Sequence, residues 1–321
     1  MRGARWGFSM VEIIFVIVIL GIVASIASNI IVQVYENYII QRAVYRVNLK
    51  SELAMNEIIN RLTYRVQGTT ISKDHLAFKG GHPTSDDWLP LSEVPAGGIK
   101  YTTVEWIGYD NDSFASNATP NWSGVSNYET ATIDGFSTPA SDLNRTARIV
   151  SILSQGRVDL SKDRPAGVIF MQSSNYYDGM SEYSPECMGM VPEVTSSTDC
   201  IFPVYADSSS SFKFTRDRDP NSNTIRHKII TERYKLAWSA YSLVPEEREN
   251  GLFDLYLYSN YQPWNGDSYL DSAVKRNILI DNVSVFKFNE NGGVIRFKLC
   301  IVERISFDNN VSTCKEKVVI R

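Results

Sequence analysis

Histidine is scarce in this chain: His75, His82 and His227 are the three among 321 residues, and they are scattered through polar sequence. No glycine-rich phosphate loop, no G-x-S-x-G and no H-E-x-x-H occurs. The motif-borne routes to phosphoryl transfer, elbow-nucleophile chemistry and zinc peptidase chemistry are therefore missing. Nothing in the sequence asks for an enzyme, a cofactor or a metal. His227, between Arg226 and Lys228, reads as a surface residue at a strand entry rather than a base. Positive charge is not in excess either: 32 Lys and Arg stand against 36 Asp and Glu, for a formal charge of -4. That balance disfavours direct nucleic-acid binding by the bulk surface. Asp110-Asn111-Asp112 offers oxygen ligands but lacks the glycine and distal glutamate of a calcium loop, so it reads as a turn.

What is present begins at the N-terminus. Arg5 to Ser28 reads RWGFSMVEIIFVIVILGIVASIAS, with an acid, Glu12, at the head of an apolar run. Ile13 to Ala27 carries no charge, and from Phe8 to Val32 the run is long enough to cross the ~30 Å hydrocarbon layer as a helix. Glu12 then lies inside the membrane, where a bare carboxylate costs ~2.5 kcal/mol or more and calls for a compensating partner. A small basic leader, residues 1–7, ends at Gly7. Cleavage after Gly7 would leave the amine of Phe8 at the head of the helix, where it could meet Glu12 of a neighbouring subunit if helices stack with an axial offset.

Gly7-Phe8-Ser9-Met10-Val11-Glu12 followed by the apolar run resembles the class III signal of type IV pilins and type II secretion pseudopilins. The resemblance covers about 25 residues. It implies that a prepilin peptidase cuts after Gly7, that Phe8 becomes an N-methylated terminus, and that Glu12 is the acid that guides assembly. It implies as partners other pseudopilins or minor pilins, met through the N-terminal helix, and an inner-membrane assembly platform. The implied location is the bacterial inner membrane, crossed once with the C-terminal domain in the periplasm, and then a filament. The kink-forming proline that many major pilins carry near the position of Asn29 is absent. Two other readings compete. In one, Arg2, Arg5, the h-region and Ser25-Ile26-Ala27 form a secretory signal that releases a periplasmic enzyme. In the other, an uncleaved anchor holds an extracytoplasmic binding module. Neither accounts for Gly7 and Glu12 together.

Behind such a segment, four cysteines without C-x-x-C spacing favour two disulfides in an oxidising compartment over a zinc site. Of the three possible pairings we expect the local one, Cys187 with Cys200 and Cys300 with Cys314.

No proline or glycine interrupts Asn29 to Gln67, and Ile40, Val44, Val47, Ser51, Met55, Ile58, Leu62 and Val66 recur at steps of three and four. One helix is expected over 8–67, a rod of ~90 Å, with its first half (8–32) in the membrane or filament core and its second laid on a globular domain, 68–321. Arg42, Arg46 and Lys50 form a basic row that reads as a solvated face, with docking onto acidic neighbours or lipid headgroups as the functional alternative.

Strands are expected at Lys100 to Ile107, Arg148 to Leu153 and Gly167 to Gln172. Tyr109 to Thr146 reads as a polar insertion outside the core, and Ser173 to Ser211 as a polar lobe closed by Cys187 and Cys200. Thr231 to Leu243 alternates as one half-buried strand, and Phe253, Leu255 and Leu257 mark the next. The apolar phase jumps between Val283 and Phe286, which suggests a bulge. Asn291-Gly292 predicts a hairpin turn into Val294 to Val302, with Ile295, Phe297, Leu299 and Ile301 facing inward. A final turn near Asp308-Asn309 would set Cys300 opposite Cys314. Asn144 and Asn310 stand in acid-extended glycosylation sequons, D-L-N-R-T and D-N-N-V-S, in expected loops.

The block ILIDNVSVFKF-NENGG-VIRFKLCI after a long helix resembles the C-terminal sheet of J-type minor pseudopilins and large minor pilins. It implies an α+β, pilin-like fold: a long N-terminal helix packed on an antiparallel sheet, here with insertions at about 109–146 and 173–211. The machine this resemblance implies is a type II secretion or type IV pilus-like filament, those of DNA uptake included.

Overall fold

A computed structural model describes residues 9–95, 100–114, 120–171, 187–191, 200–215, 230–248, 251–305 and 309–320. Helix α1 spans Met10–Thr63, 54 residues and about 80 Å. It stops short of Gln67 because the chain exchanges its last helical turn for sheet pairing. Val66 N–H donates to Ile107 O at 2.8 Å, and Tyr109 N–H to Tyr64 O at 2.9 Å. Gly68 turns the chain with φ 79°, four residues beyond the helix cap at Tyr64.

The larger of two antiparallel sheets contains β1 (Ile71–Lys73), β2 (Trp88–Pro90) and β3 (Thr103–Gly108). Five late strands complete it: β10 (Ser239–Glu247), β11 (Phe253–Tyr261), β12 (Lys275–Asn291), β13 (Val294–Arg304) and β14 (Asn310–Ile320). Their spatial order is β14-β13-β12-β11-β10-β3-β1-β2. The smaller sheet orders β4 (Asn127–Thr132), β5 (Gly135–Ser137), β6 (Ala166–Phe170), β7 (Phe202–Ser208), β8 (Ser211–Phe214) and β9 (Tyr234–Ala237) as β4-β5-β8-β7-β6-β9. Two further helices are α2 (His75–Lys79) and α3 (Leu143–Leu153).

Three cores hold these layers together. In the first, Val47, Ala54, Met55, Ile58 and Leu62 of α1 pack on Leu243, Leu255, Phe297, Leu299 and Ile301 of the larger sheet. The buried stripe begins at Ala43 and Val47, while Ile40 and Val44 of the expected stripe remain exposed at 39 % each. The second core lies between the sheets, where Ile107, Val244 and Tyr261 meet Ile169, Ala237 and the Cys187–Cys200 segment. The third joins the smaller sheet to α3 through Trp122, Phe136, Leu143, Val150 and Phe212.

Several expectations need correction. Arg148–Leu153 is the second half of α3, not a strand. Asp142 caps that helix by accepting from Arg145 N–H at 3.1 Å, and Leu143, Thr146 and Val150 supply a helical face. Tyr109 to Thr146 is not an excursion outside the core: Trp122 and Phe136 are buried, and β4 and β5 lie within it. The described parts of the 173–211 lobe are likewise core, since Cys187, Met188, Met190, Val191, Cys200 and Ile201 are all buried. Thr231 to Leu243 is two strands, because the chain leaves one sheet at Ala237, passes Trp238, and enters the other at Ser239.

The late hairpin holds with a shift of one residue. Asn291 pairs with Val294, so Gly292 (φ 58°) and Gly293 (φ 79°) form the turn, both in the left-handed region that a two-residue hairpin demands. The bulge in β12 lies between Val283 and Val285. Ile295, Phe297, Leu299 and Ile301 are buried on the inner face, and Cys300 stands directly opposite Cys314. Both expected disulfides are present.

Candidate functional site

The most distinctive surface is the first half of α1. Residues 9–38 are all exposed, and Ile13 to Tyr35 carries no charge. That uncharged length is ~35 Å of helix, enough to cross a bilayer. One such helix occurs among the described residues, and none of its apolar window is covered by the rest of the protein.

Glu12 sits three residues into this rod. Ser9 is the helix N-cap: Glu12 N–H donates to Ser9 Oγ at 3.3 Å, and Ser9 N–H donates to Glu12 Oε2 at 3.5 Å. This reciprocal pair is a capping box, which satisfies two otherwise orphaned donors and places a negative group at the positive end of the helix. Gly7 and Phe8 lie outside the described residues, so the expected cleavage position and mature terminus have no geometry here.

Farther along, α1 is fastened to its own domain. Arg46 pairs with Glu303 at 3.0 Å and Lys50 with Asp281 at 2.9 Å. Glu52 receives Lys315 at 2.6 Å and Lys317 at 3.2 Å, and these hydrogen bonds hold its carboxyl below the ordinary range. The basic row is therefore a solvated face, as expected, whose charges at Arg46 and Lys50 are met by acids of the same chain. Arg42 is exposed and, of the three, has no ion pair among the described residues.

The other singled-out residues are dispersed. Asp110 is buried and accepts from Ser113 N–H at 3.0 Å and Trp122 Nε1–H at 3.1 Å. Burial pushes its carboxyl up while those hydrogen bonds pull it down. It closes a turn, as the sequence suggests. Among the described residues no cluster of three or more His, Cys, Asp or Glu is placed to hold a metal. His75 Nδ1 lies 3.2 Å from Tyr269 Oη, His82 is exposed, and His227 lies outside the described residues. The sequons are not in loops: Asn144 is the second residue of α3 with Thr146 buried beneath it, and Asn310 opens β14.

Sequence reasoning missed one buried constellation. Lys73 on β1 and Glu105 on β3 form an ion pair with side chains 3 % and 2 % exposed. Tyr261 Oη–H donates to Glu105 Oε1 at 2.7 Å, and Ser242 Oγ lies 2.5 Å from the same hydroxyl. The available hint was an acid inside TVEWIG, a strand buried on both faces. The group is sealed in the domain and reads as internal wiring.

No protein-family model, no curated protein and no solved structure matches the chain. The described residues form an α+β chain with one long apolar N-terminal helix, two antiparallel sheets and two disulfides. These features fit a protein that crosses a membrane once and exposes its folded domain to an oxidising compartment.

Proposed function

We propose that this protein is a minor pseudopilin or minor pilin, a non-enzymatic subunit that enters a short envelope-spanning filament at its initiation or tip. The observation that carries the reading is the uncovered, uncharged rod with Glu12 at its head, continuous with a second half fixed to the domain by buried apolar contacts and ion pairs. A surface of that size demands lipid or other helices around it. In the lipid-embedded monomer the Ser9 cap supplies Glu12 with one hydrogen bond but no counter-charge. In the filament the freed amine of Phe8 on an adjoining subunit supplies the counter-charge, and a charge pair in a low-dielectric setting is worth far more than in water. Extraction from the membrane is thereby linked to correct axial offset. The prepilin peptidase and the inner-membrane platform are the partners this path requires.

The test is site-specific cross-linking between α1 helices of neighbouring copies or filament partners in native membranes, comparing the natural chain with Glu12→Val and Glu12→Gln. The reading expects Glu12→Val to insert in the membrane normally yet lose cross-links and function, with Glu12→Gln nearly as defective because the charge is what is needed. Undiminished cross-linking and function in Glu12→Val would refute it.

A further inference from the structure

Helix α1 carries a second stripe, on the side it turns away from its own domain. Ile31, Tyr35, Tyr38, Arg42, Tyr45 and Leu49 follow one another at steps of four, three, four, three and four, and all are exposed. At about 100° per residue they lie roughly opposite Val47, Ala54 and Ile58, which pack on the larger sheet. Leu53, 63 % exposed, extends the stripe by one more turn. Alternating steps of four and three give the 3.5-residue period of a coiled-coil seam, the spacing that receives the side chains of a second helix.

Lipid does not cover all of this seam. The uncharged run of α1 ends at Tyr35, and Glu36 follows it. Leu49 and Leu53 stand ~21 Å and ~27 Å beyond Tyr35 along the helix axis. The headgroup layer on each side of the hydrocarbon is only ~5–8 Å deep. Tyr35 and Tyr38 fit that layer, whereas Tyr45, Leu49 and Leu53 rise above it into water. A contiguous apolar stripe there marks a surface for protein.

Arg42 selects the protein. It sits in the middle of the seam and has no ion pair among the described residues, while Arg46 and Lys50 on the following turns are both paired within the chain. Two copies of α1 joined in register along this stripe would set Arg42 against Arg42, a like-charge contact that disfavours self-pairing. Sliding one copy along the other brings no acid to Arg42, since no seam position from Ile31 to Leu53 is acidic. Off the seam, Glu52 is held by Lys315 and Lys317, and Glu57 by Arg61. Glu36 lies in line with Ala43, two turns on, where the helix first becomes buried, so a helix laid along that side would run into the domain. We infer that the seam from Tyr38 to Leu53 seats a helix of a different protein, one that rises from the same membrane beside α1 and presents a carboxylate to Arg42. A single charge pair in an apolar seam fixes register and partner together. The inference concerns the half of α1 outside the membrane; it rests on α1 leaving a membrane and gives Glu12 no part.

The experiment places a photo-reactive phenylalanine analogue at Tyr45, and separately at Leu49, of the full chain in its native membrane, and maps each product by peptide mass analysis. The expected product joins the chain to a different protein, through an apolar helical segment with Asp or Glu within one turn of the contact. Arg42→Glu should cut the yield per inserted molecule at least tenfold, and Arg42→Lys should keep most of it. Exchanging the mapped acid for Lys should restore the product with Arg42→Glu. Natural Glu12 is kept throughout, so failure here leaves the Glu12 test standing, and the reverse. No product, lipid adducts alone, or a product of two copies of this chain would overturn the inference. So would a mapped segment without an acid, a yield unmoved by Arg42→Glu, or a charge exchange that restores nothing.

Discussion

Lys73 and Glu105 pair inside the protein across neighbouring strands, and each is held from a second side. Lys73 Nζ donates to Met190 O and lies 4.5 Å from the ring centroid of Phe78, while Glu105 Oε1 accepts from Tyr261. Burial pushes the Lys73 amine below its ordinary range, and Glu105 pulls it back. A pair sealed in this way costs desolvation, so its worth shows only when one partner is removed. Glu105→Ala is expected to lower stability by ~3–5 kcal/mol, because Lys73 is left as an uncompensated buried charge. Lys73→Met with Glu105→Leu should recover most of that loss. Urea denaturation of the single and double variants checks both statements.

Gly167 on β6 packs against Ile201 and Trp264 of the core between the sheets. A Cβ there would lie 2.7 Å from Ile201 Cγ2 and 2.9 Å from Trp264 Cε2. One methyl group therefore overpacks the seam, and Gly167→Ala should destabilise the domain by ~1–3 kcal/mol. The thermal midpoint reads this directly, and an unchanged midpoint would show that the seam yields.

The two disulfides differ in access. Cys187 and Cys200 are both buried in the core between the sheets, whereas Cys314 is exposed on the edge strand. Mild reductant followed by alkylation and peptide mass analysis should label Cys300 and Cys314 first. Replacing Cys187 and Cys200 by Ala should cost ~3 kcal/mol, on the scale of a loop of their 13-residue separation.

Burial, with Lys79 nearby, holds the His75 imidazole below its ordinary range. The folded protein then binds fewer protons at this site than the unfolded chain, so the contribution is full above the unfolded value of ~6.5 and is lost as pH falls through that value toward the folded one. Stability should therefore decline below about pH 6.5, and His75→Gln should flatten that part of the slope. Thermal midpoints across the acidic range measure it.

The sequence was most legible where one periodicity dominated. The uninterrupted stretch from Asn29 to Gln67 read as helix, and strict alternation fixed the inner face of β13 at Ile295, Phe297, Leu299 and Ile301. It failed where two patterns overlap. Arg148 to Leu153 is β-branched enough to pass for a strand, and the helix shows only when Asp142 and Leu143 are read with it. Tyr234, Leu236, Trp238 and Ala240 keep one phase, which moves to Tyr241 and Leu243 only beyond the crossing, so the change of sheet leaves no mark at Trp238 itself. Polar composition hid the core roles of Trp122 and Phe136, since single aromatics among Ser, Asn and Thr form no run. A bulge at Asn260 of β11 depends on register with β10, which no single strand reveals.

The most direct measurement is the mass of the N-terminal peptide of the protein isolated from its native membrane. The account predicts a chain that begins at Phe8 with a methylated amine. A chain that retains Met1, or one that begins after Ala27, would contradict it.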